Sequence, residues 1–512
     1  MRSSGAHEIP HEPGRSLPPS ASAARSPGRA GDGAPRPDDR PCSGALHRSA
    51  LPGSMTTASP THGAHAVRTQ QLLSASPFPL LVRLAAPNSL AFFVQACVSM
   101  TEVWYVGRLG RDALAAMALA FPLLMLMQTL SGGALGGAVS SAVARAIGAG
   151  RNDRAEALVW HAIAIAVGGA LVFALLYALL GPALLAGLGG RGAVLSQATA
   201  YLGIVFATGA SLWLNAILGA VFRGAGDMRF PALVLLAGAF LQVPLSGALI
   251  LGWWGAPALG ITGAALSVAS IASVASLASL VRLARGAGAL RLRLAALRFE
   301  AATFREILRV GLGSAPAPIL TVFTIVAVNG LVSGFGPAAL AGYGIGSRLE
   351  FLLIPLVFGI GAALTAMVGT NFGAGNYERA LRIAWIGSAS AAALTGTIGG
   401  VLAIWPGLWV GTFTSDPLIH EAGTAYLRTV GPCYVFHGLA LSLYFASQGA
   451  RAMFWPVFAT ALRFAIAVGG SMIAVSMLGA GAGVIFACVA GGMAAAGVAT
   501  AGAIAAGAWR RS

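Results

Sequence analysis

Two carboxylates stand where a carboxylate is hardest to keep: Glu102 and Glu350 each lie inside a long apolar run. A carboxylate in hydrocarbon costs several kcal/mol unless it faces a cavity, meets a cation or carries a proton. Each therefore marks either an ion-exchange position or one half of a buried pair. Glu102 sits beside Thr101, Trp104 and Tyr105, about five residues or roughly 8 Å from one end of its run at the helical rise. Ion coupling is the reading favoured there, with snorkelling or a contact to Arg108 as the bland alternative. Glu350 lies roughly 18 Å deep, and Arg463 in a later run reaches a similar depth. Glu350 is expected either to couple ions or to form a structural ion pair with Arg463, Arg348 being the other candidate partner.

Neutral polar residues in the runs are Asn88, Gln95, Gln128, Asn215, Gln242, Asn329 and His437. Side chains of this kind often only bond across helices. As candidates for a substrate cavity we take Gln95, Gln128, Asn215, Asn329 and His437. Gln95 stands seven residues before Glu102, two turns away on the same helical face. His437 is able in principle to sense protons near neutral pH. Prolines inside the runs free a backbone carbonyl and permit a bend, so Pro87, Pro316 and Pro355 are the expected hinges.

The elements that must hold these residues follow from composition. The 512 residues are 57% hydrophobic and only 9% charged, with a mean hydropathy of +0.78. Soluble domains carry roughly 25% charged residues, so this is an integral membrane protein. Apolar runs of about 20 residues span a bilayer, and in lipid such runs must be helical. We expect twelve spans near 80–106, 113–143, 157–181, 197–222, 229–252, 259–282, 308–333, 338–370, 381–405, 423–446, 453–477 and 480–507.

The net charge of +16 comes wholly from Arg. Most of it lies in the segment before residue 77 and in alternate loops: Arg145, Arg151 and Arg154; Arg223 and Arg229; Arg282 to Arg309; Arg379 and Arg382; Arg451; and Arg510 and Arg511. Opposite loops hold only Arg108, Arg111 and Arg191. This is a topology signal that makes both termini cytoplasmic, and no nucleic-acid partner is implied.

Residues 1–76 are rich in Pro, Ser, Gly and Arg and read as a disordered tail. Met55 stands as an alternative start, in which case the residues before it are absent from the native protein. Residues 77–285 form one six-helix lobe, 286–307 an amphipathic cytoplasmic linker at the membrane surface, and 308–512 a second six-helix lobe. Within the linker, Thr303-Phe304-Arg305-Glu306 matches a capping box.

The two lobes repeat one another. Ile147-Gly148-Ala149-Gly150 returns 225 residues later around Gly373-Ala374-Gly375, Thr199-Ala200-Tyr201-Leu202 as Thr424-Ala425-Tyr426-Leu427, and Gly224-Ala225 as Gly449-Ala450. Six spans per lobe keep both in the same orientation, so the repeat is parallel and a cavity between rocking bundles is expected. There is no phosphate-binding Gly-rich loop, metal cluster or protease helix motif. Enzymatic chemistry and a bound cofactor are therefore not expected, and an active transporter of this kind would draw on an ion gradient.

The stretches Leu84-Ala85-Ala86-Pro87, Thr101-Glu102-Val103-Trp104-Tyr105-Val106-Gly107-Arg108-Leu109-Gly110 and Ala339-Leu340-Ala341-Gly342-Tyr343 through Arg348-Leu349-Glu350 to Gly373-Ala374-Gly375 resemble the multidrug and toxic compound extrusion (MATE) family. The resemblance implies an all-α membrane protein with twelve transmembrane helices in two lobes around a central cleft. It also implies export of small cationic amphiphilic compounds in exchange for H⁺ or Na⁺; we expect the protein in the inner membrane and as a monomer. In the family the first span usually carries Asp where Glu102 stands, which keeps protonation chemistry but alters the geometry of a sodium site. A lipid-linked saccharide flippase of the same superfamily is the alternative, and it would need a cleft rich in deep Arg. A membrane-embedded enzyme carries little weight.

Overall fold

The computed structural model describes residues 60–286, 290–293 and 297–510. The segment before Pro60, including the alternative start at Met55, lies outside them. All regular structure among the described residues is helical. In the first lobe the spans are Pro77–Gly107, Arg111–Gly148, Asn152–Gly187, the broken pair Gly192–Ala207 and Gly209–Gly224, Arg229–Leu251 and Ile261–Arg285. In the second they are Ala301–Ser333, Pro337–Gly373, Tyr377–Ile404, Pro417–Gly449, Phe454–Met477 and Ala482–Ala505. The apolar runs thus give twelve spans in two six-helix repeats flanking a central cleft. Each lobe has its own aromatic core, with Trp213 in the first and Tyr426, Tyr434 and Phe486 in the second among the largest fully buried side chains.

The repeat is visible in the packing. A Cβ on Gly148 would collide with the carbonyl of Thr370, and one on Gly373 with the carbonyl of Arg145. Since 148 corresponds to 373 and 145 to 370, each contact is the other's copy, as at a two-fold interface. Gly224 packs on Ser140 within the first lobe and Gly449 on Thr365 within the second, one contact repeated at the same offset. The two Gly-Ala-Gly turns therefore meet at one end of the molecule, where only a residue without a side chain lets the second and eighth spans approach this closely.

The fourth span is bent by 54° at Thr208. Its copy, 225 residues on, is broken at the corresponding place by a 3₁₀ turn over Gly431–Cys433. Neither break was expected. The N-terminal segment departs from expectation too, because Pro60–Ser74 is a helix rather than a disordered end. Its Ala, Arg, Gln and Leu are good helix formers, hidden in the composition of the longer tail. Leu72 is buried, its carbonyl accepts from Asn371 Nδ2 at 3.1 Å, and Arg379 bonds the carbonyl of Ala75.

Span seven begins at Ala301 rather than 308, and the described residues of Gly286–Glu300 are not helical. The expected capping box is not formed. Glu300 is the N-cap residue, and its carbonyl accepts from the amides of Thr303 and Phe304 at 3.0 and 3.1 Å. Thr303 Oγ1 also donates to its carboxylate at 3.2 Å. With the helix starting at Ala301, Thr303 lies inside it, and Glu306 makes ion pairs with Arg145, Arg154 and Arg451 instead.

Candidate functional site

Glu102 is 7% exposed. One carboxylate oxygen accepts from Gln242 Nε2 and from Ser246 Oγ, each at 2.8 Å. Gln242 and Ser246 are four residues apart on span five, so one helical face presents both donors to span one. Ser246 lies 2.8 Å from Ser267 on span six. Gln95 donates to Gln242 at 3.5 Å, so the structure brings Gln95 and Glu102 to the same amide. Among the described residues no Arg pairs with Glu102. Arg108 lies instead over the Trp104 ring, 5.2 Å from its centroid. A carboxyl held by neutral donors can take up a proton or a cation and give it back.

The second acid has a different setting. Arg463 Nη2 is 3.7 Å from Glu350, and Tyr426 donates its hydroxyl to the same carboxylate at 2.5 Å. Arg463 Nη1 is 3.3 Å from His437 Nδ1. An arginine only donates, so His437 must accept there and carry its proton on Nε2, an atom sealed without a partner. Arg348 takes no part and lies over Phe413.

The remaining candidates are dispersed. Gln128 is exposed and Asn215 half-buried, and neither side chain bonds to a described residue. Asn329 bonds back to Ile325 of its own helix at 2.9 Å.

The hinge candidates cluster better. Ser89 donates to the carbonyl of Leu356 at 3.0 Å, next to Pro87 on one helix and Pro355 on the other. Pro316 opens the second segment of span seven, and Pro318 cannot donate to the carbonyl of Ser314. Tyr444 supplies the missing donor at 3.2 Å.

Hydrogen bonds between the lobes run from mid-helix to the Gly-Ala-Gly end. They include Ser89 to Leu356, Gln448 Nε2 to Gly133 at 2.9 Å, and Ser141 to the Gln448 carbonyl at 2.5 Å. At the end itself Glu306 faces Arg145 at 3.2 Å, Arg154, and Arg451 at 3.9 Å. These residues, with Arg151 and Gly373, line a pocket of about 190 Å³. Toward the opposite end no hydrogen bond or ion pair joins the lobes among the described residues.

Sequence reasoning passed over Ser246 and Ser267 at Glu102 and Tyr426 at Glu350. The four-residue spacing from Gln242 was the one available signal for Ser246. It also read Arg223 as a loop charge, whereas that residue is 7% exposed.

The chain has recognisable relatives. The MatE family model matches it twice, over residues 87–248 and 317–473, once per lobe. A probable multidrug resistance protein NorM of Thermotoga maritima is 27% identical over 361 residues, covering 69% of this chain and 75% of the relative. An FAD transporter of Shewanella oneidensis is 24% identical over 377 residues, covering 73% and 82%.

Among solved structures, an outward-facing multidrug resistance MATE transporter of the MOP superfamily superposes with a TM-score of 0.80 at 23% identity, covering 86% of this chain and 98% of the other. A MOP superfamily transporter from Pyrococcus furiosus, described as having a binding pocket of reverse polarity, gives 0.80 at 22% identity over 86% and 98%. With the family model matching more than half of its length, this chain belongs to the MatE family of multi-pass membrane transporters and is not an enzyme.

Proposed function

We propose that this transporter is a secondary antiporter of the inner membrane, exporting amphiphilic compounds in exchange for H⁺ or Na⁺. The observation that carries the reading is Glu102, a buried intramembrane carboxyl whose partners Gln242 and Ser246 are all neutral. Such a group is stabilised by a bound proton or cation and is costly without one. The excess of Arg in the loops at the Gly-Ala-Gly end supports a cytoplasmic location for that end and for both termini. On this orientation the closed end faces the cytoplasm and the unbonded end faces outward.

In that arrangement the coupling ion reaches Glu102 from outside, substrate leaves, and rocking about the Pro87 and Pro355 crossing opens the inner end so that the ion escapes. Glu350, paired with Arg463, holds the second lobe together or contributes to coupling. Gln95 completes the polar rim of the Glu102 site, and the protein works as a monomer. Ion-driven efflux of a cationic dye from proteoliposomes, with Glu102→Gln as the comparison, tests the reading. The relatives' names differ in cargo, multidrug compounds for one and FAD for another, so the substrate class has to be argued from the cleft itself.

A further inference from the structure

Arg223 is the penultimate residue of span four, yet it does not reach out of the membrane. The next residue, Gly224, packs on the carbonyl of Ser140. Helical side chains lean toward the N-terminus of their helix, and Nη1 accordingly lies beside Gly219, 3.0 Å from where a Cβ would stand. The absence of a side chain at 219 makes the room.

The guanidinium carbon is 5.9 Å from the ring centroid of Phe92 on span one. Phe92 in turn meets Phe358 of the other lobe edge-on at 5.5 Å. Arg223 therefore reaches the seam between the lobes at mid-membrane.

What distinguishes this arginine is its lack of a polar partner. Arg145 has Glu306 and Arg463 has Glu350, but among the described residues Arg223 has no ion pair and no hydrogen bond. A buried cation left this way is costly. Its nitrogens are not sealed off, unlike the unpartnered Nε atoms of Arg282, Arg379 and Arg463. The little exposure that Arg223 keeps lies beside Phe92 and its contact with Phe358, the place between the lobes that we take as the floor of the cleft.

The repeat sharpens the contrast. Arg223 corresponds to Gln448, whose amide is spent on Gly133 and Tyr444, at 2.9 and 3.3 Å. One lobe has a neutral group committed to the closure, and the other has a free charge.

We infer that Arg223, with the rings of Phe92 and Phe358, forms a subsite at the cleft floor for the anionic group of an aromatic substrate, a carboxylate or a phosphate. Phe92 lies ten residues from Glu102, roughly 15 Å along span one. The cleft then offers an acid toward one end and a guanidinium at the floor, which suits zwitterions and organic anions as well as cations. A guanidinium matches a carboxylate or phosphate with two parallel N–H donors, an arrangement that lysine cannot reproduce.

The inference rests on reading the cleft as the substrate site, and its test needs no ion gradient, so failure of antiport and failure of this subsite are separable. Binding of pyrenebutyrate and of its methyl ester to the purified full-length protein is followed by fluorescence anisotropy. The wild type should bind the acid about tenfold or more tighter than the ester. Arg223→Gln should bring the ratio close to one, and Arg223→Lys should keep part of it.

A wild type that binds both alike, or binds neither, overturns the subsite, as does a ratio that persists in Arg223→Gln. Loss of both ligands in Arg223→Gln and Arg223→Lys alike would make the residue structural and would equally overturn it.

Discussion

Glu306 accepts a hydrogen bond from Arg145 at 3.2 Å across the seam between the two lobes, at the end where the Gly-Ala-Gly turns meet. Arg154 and Arg451 approach the same carboxylate, so one acid holds three cations drawn from both lobes. This arrangement latches the closed end without any contact in the cleft.

Glu306→Gln is expected to loosen that end. Losing charge-assisted bonds of this kind shifts a two-state equilibrium about ten- to a hundredfold. A cysteine placed at Ala146, which is buried in the closed end and lines the adjoining pocket, should react faster with a membrane-impermeant maleimide applied at that end. An unchanged labelling rate would remove the latch from the account.

The reciprocal glycines make a second prediction. Gly148→Ala and Gly373→Ala each drive a methyl group into a carbonyl of the opposite lobe, and overpacking of this sort costs about 1–3 kcal/mol. Their thermal midpoints in detergent should fall together. Gly375→Ala meets open space and pays only for its positive φ of 78°, a cost of about 1–2 kcal/mol. A drop at one of positions 148 and 373 without the other would contradict the two-fold relation.

Much of this fold could be read from the chain because the bilayer imposes the length of every span, and the 225-residue offset survives in small residues that sit at unforgiving contacts. What escaped notice had weaker signatures. Ser246 and Ser267 are unexceptional in transmembrane helices, and only their meeting at Glu102 gives them meaning. Arg223 sits where a loop charge would sit, and the inward lean of its side chain reverses that reading. Glu306 matched a local cap in sequence, but the helix starts earlier, at Ala301 with Glu300 as its N-cap, and leaves Glu306 to the cations. The bend at Thr208 has no proline to announce it.

Glu350 and Arg463 form an intramembrane pair at 3.7 Å, their side chains 15% and 14% exposed. Glu350→Gln leaves Arg463 without a counter-charge, a change that typically costs 3–5 kcal/mol, whereas replacing both partners by apolar residues is often close to neutral. The thermal midpoint should therefore fall further in Glu350→Gln than in the double variant Glu350→Met with Arg463→Leu. Equal midpoints would show that Arg463 left without Glu350 is not an uncompensated charge, and would contradict the pairing.

The coupling role of Glu102 is tested most directly by efflux of a cationic dye from proteoliposomes with proton and sodium gradients imposed separately. The wild type should respond to at least one gradient, and Glu102→Gln should abolish that response while the protein remains folded. Full gradient-dependent efflux in Glu102→Gln would contradict the assignment.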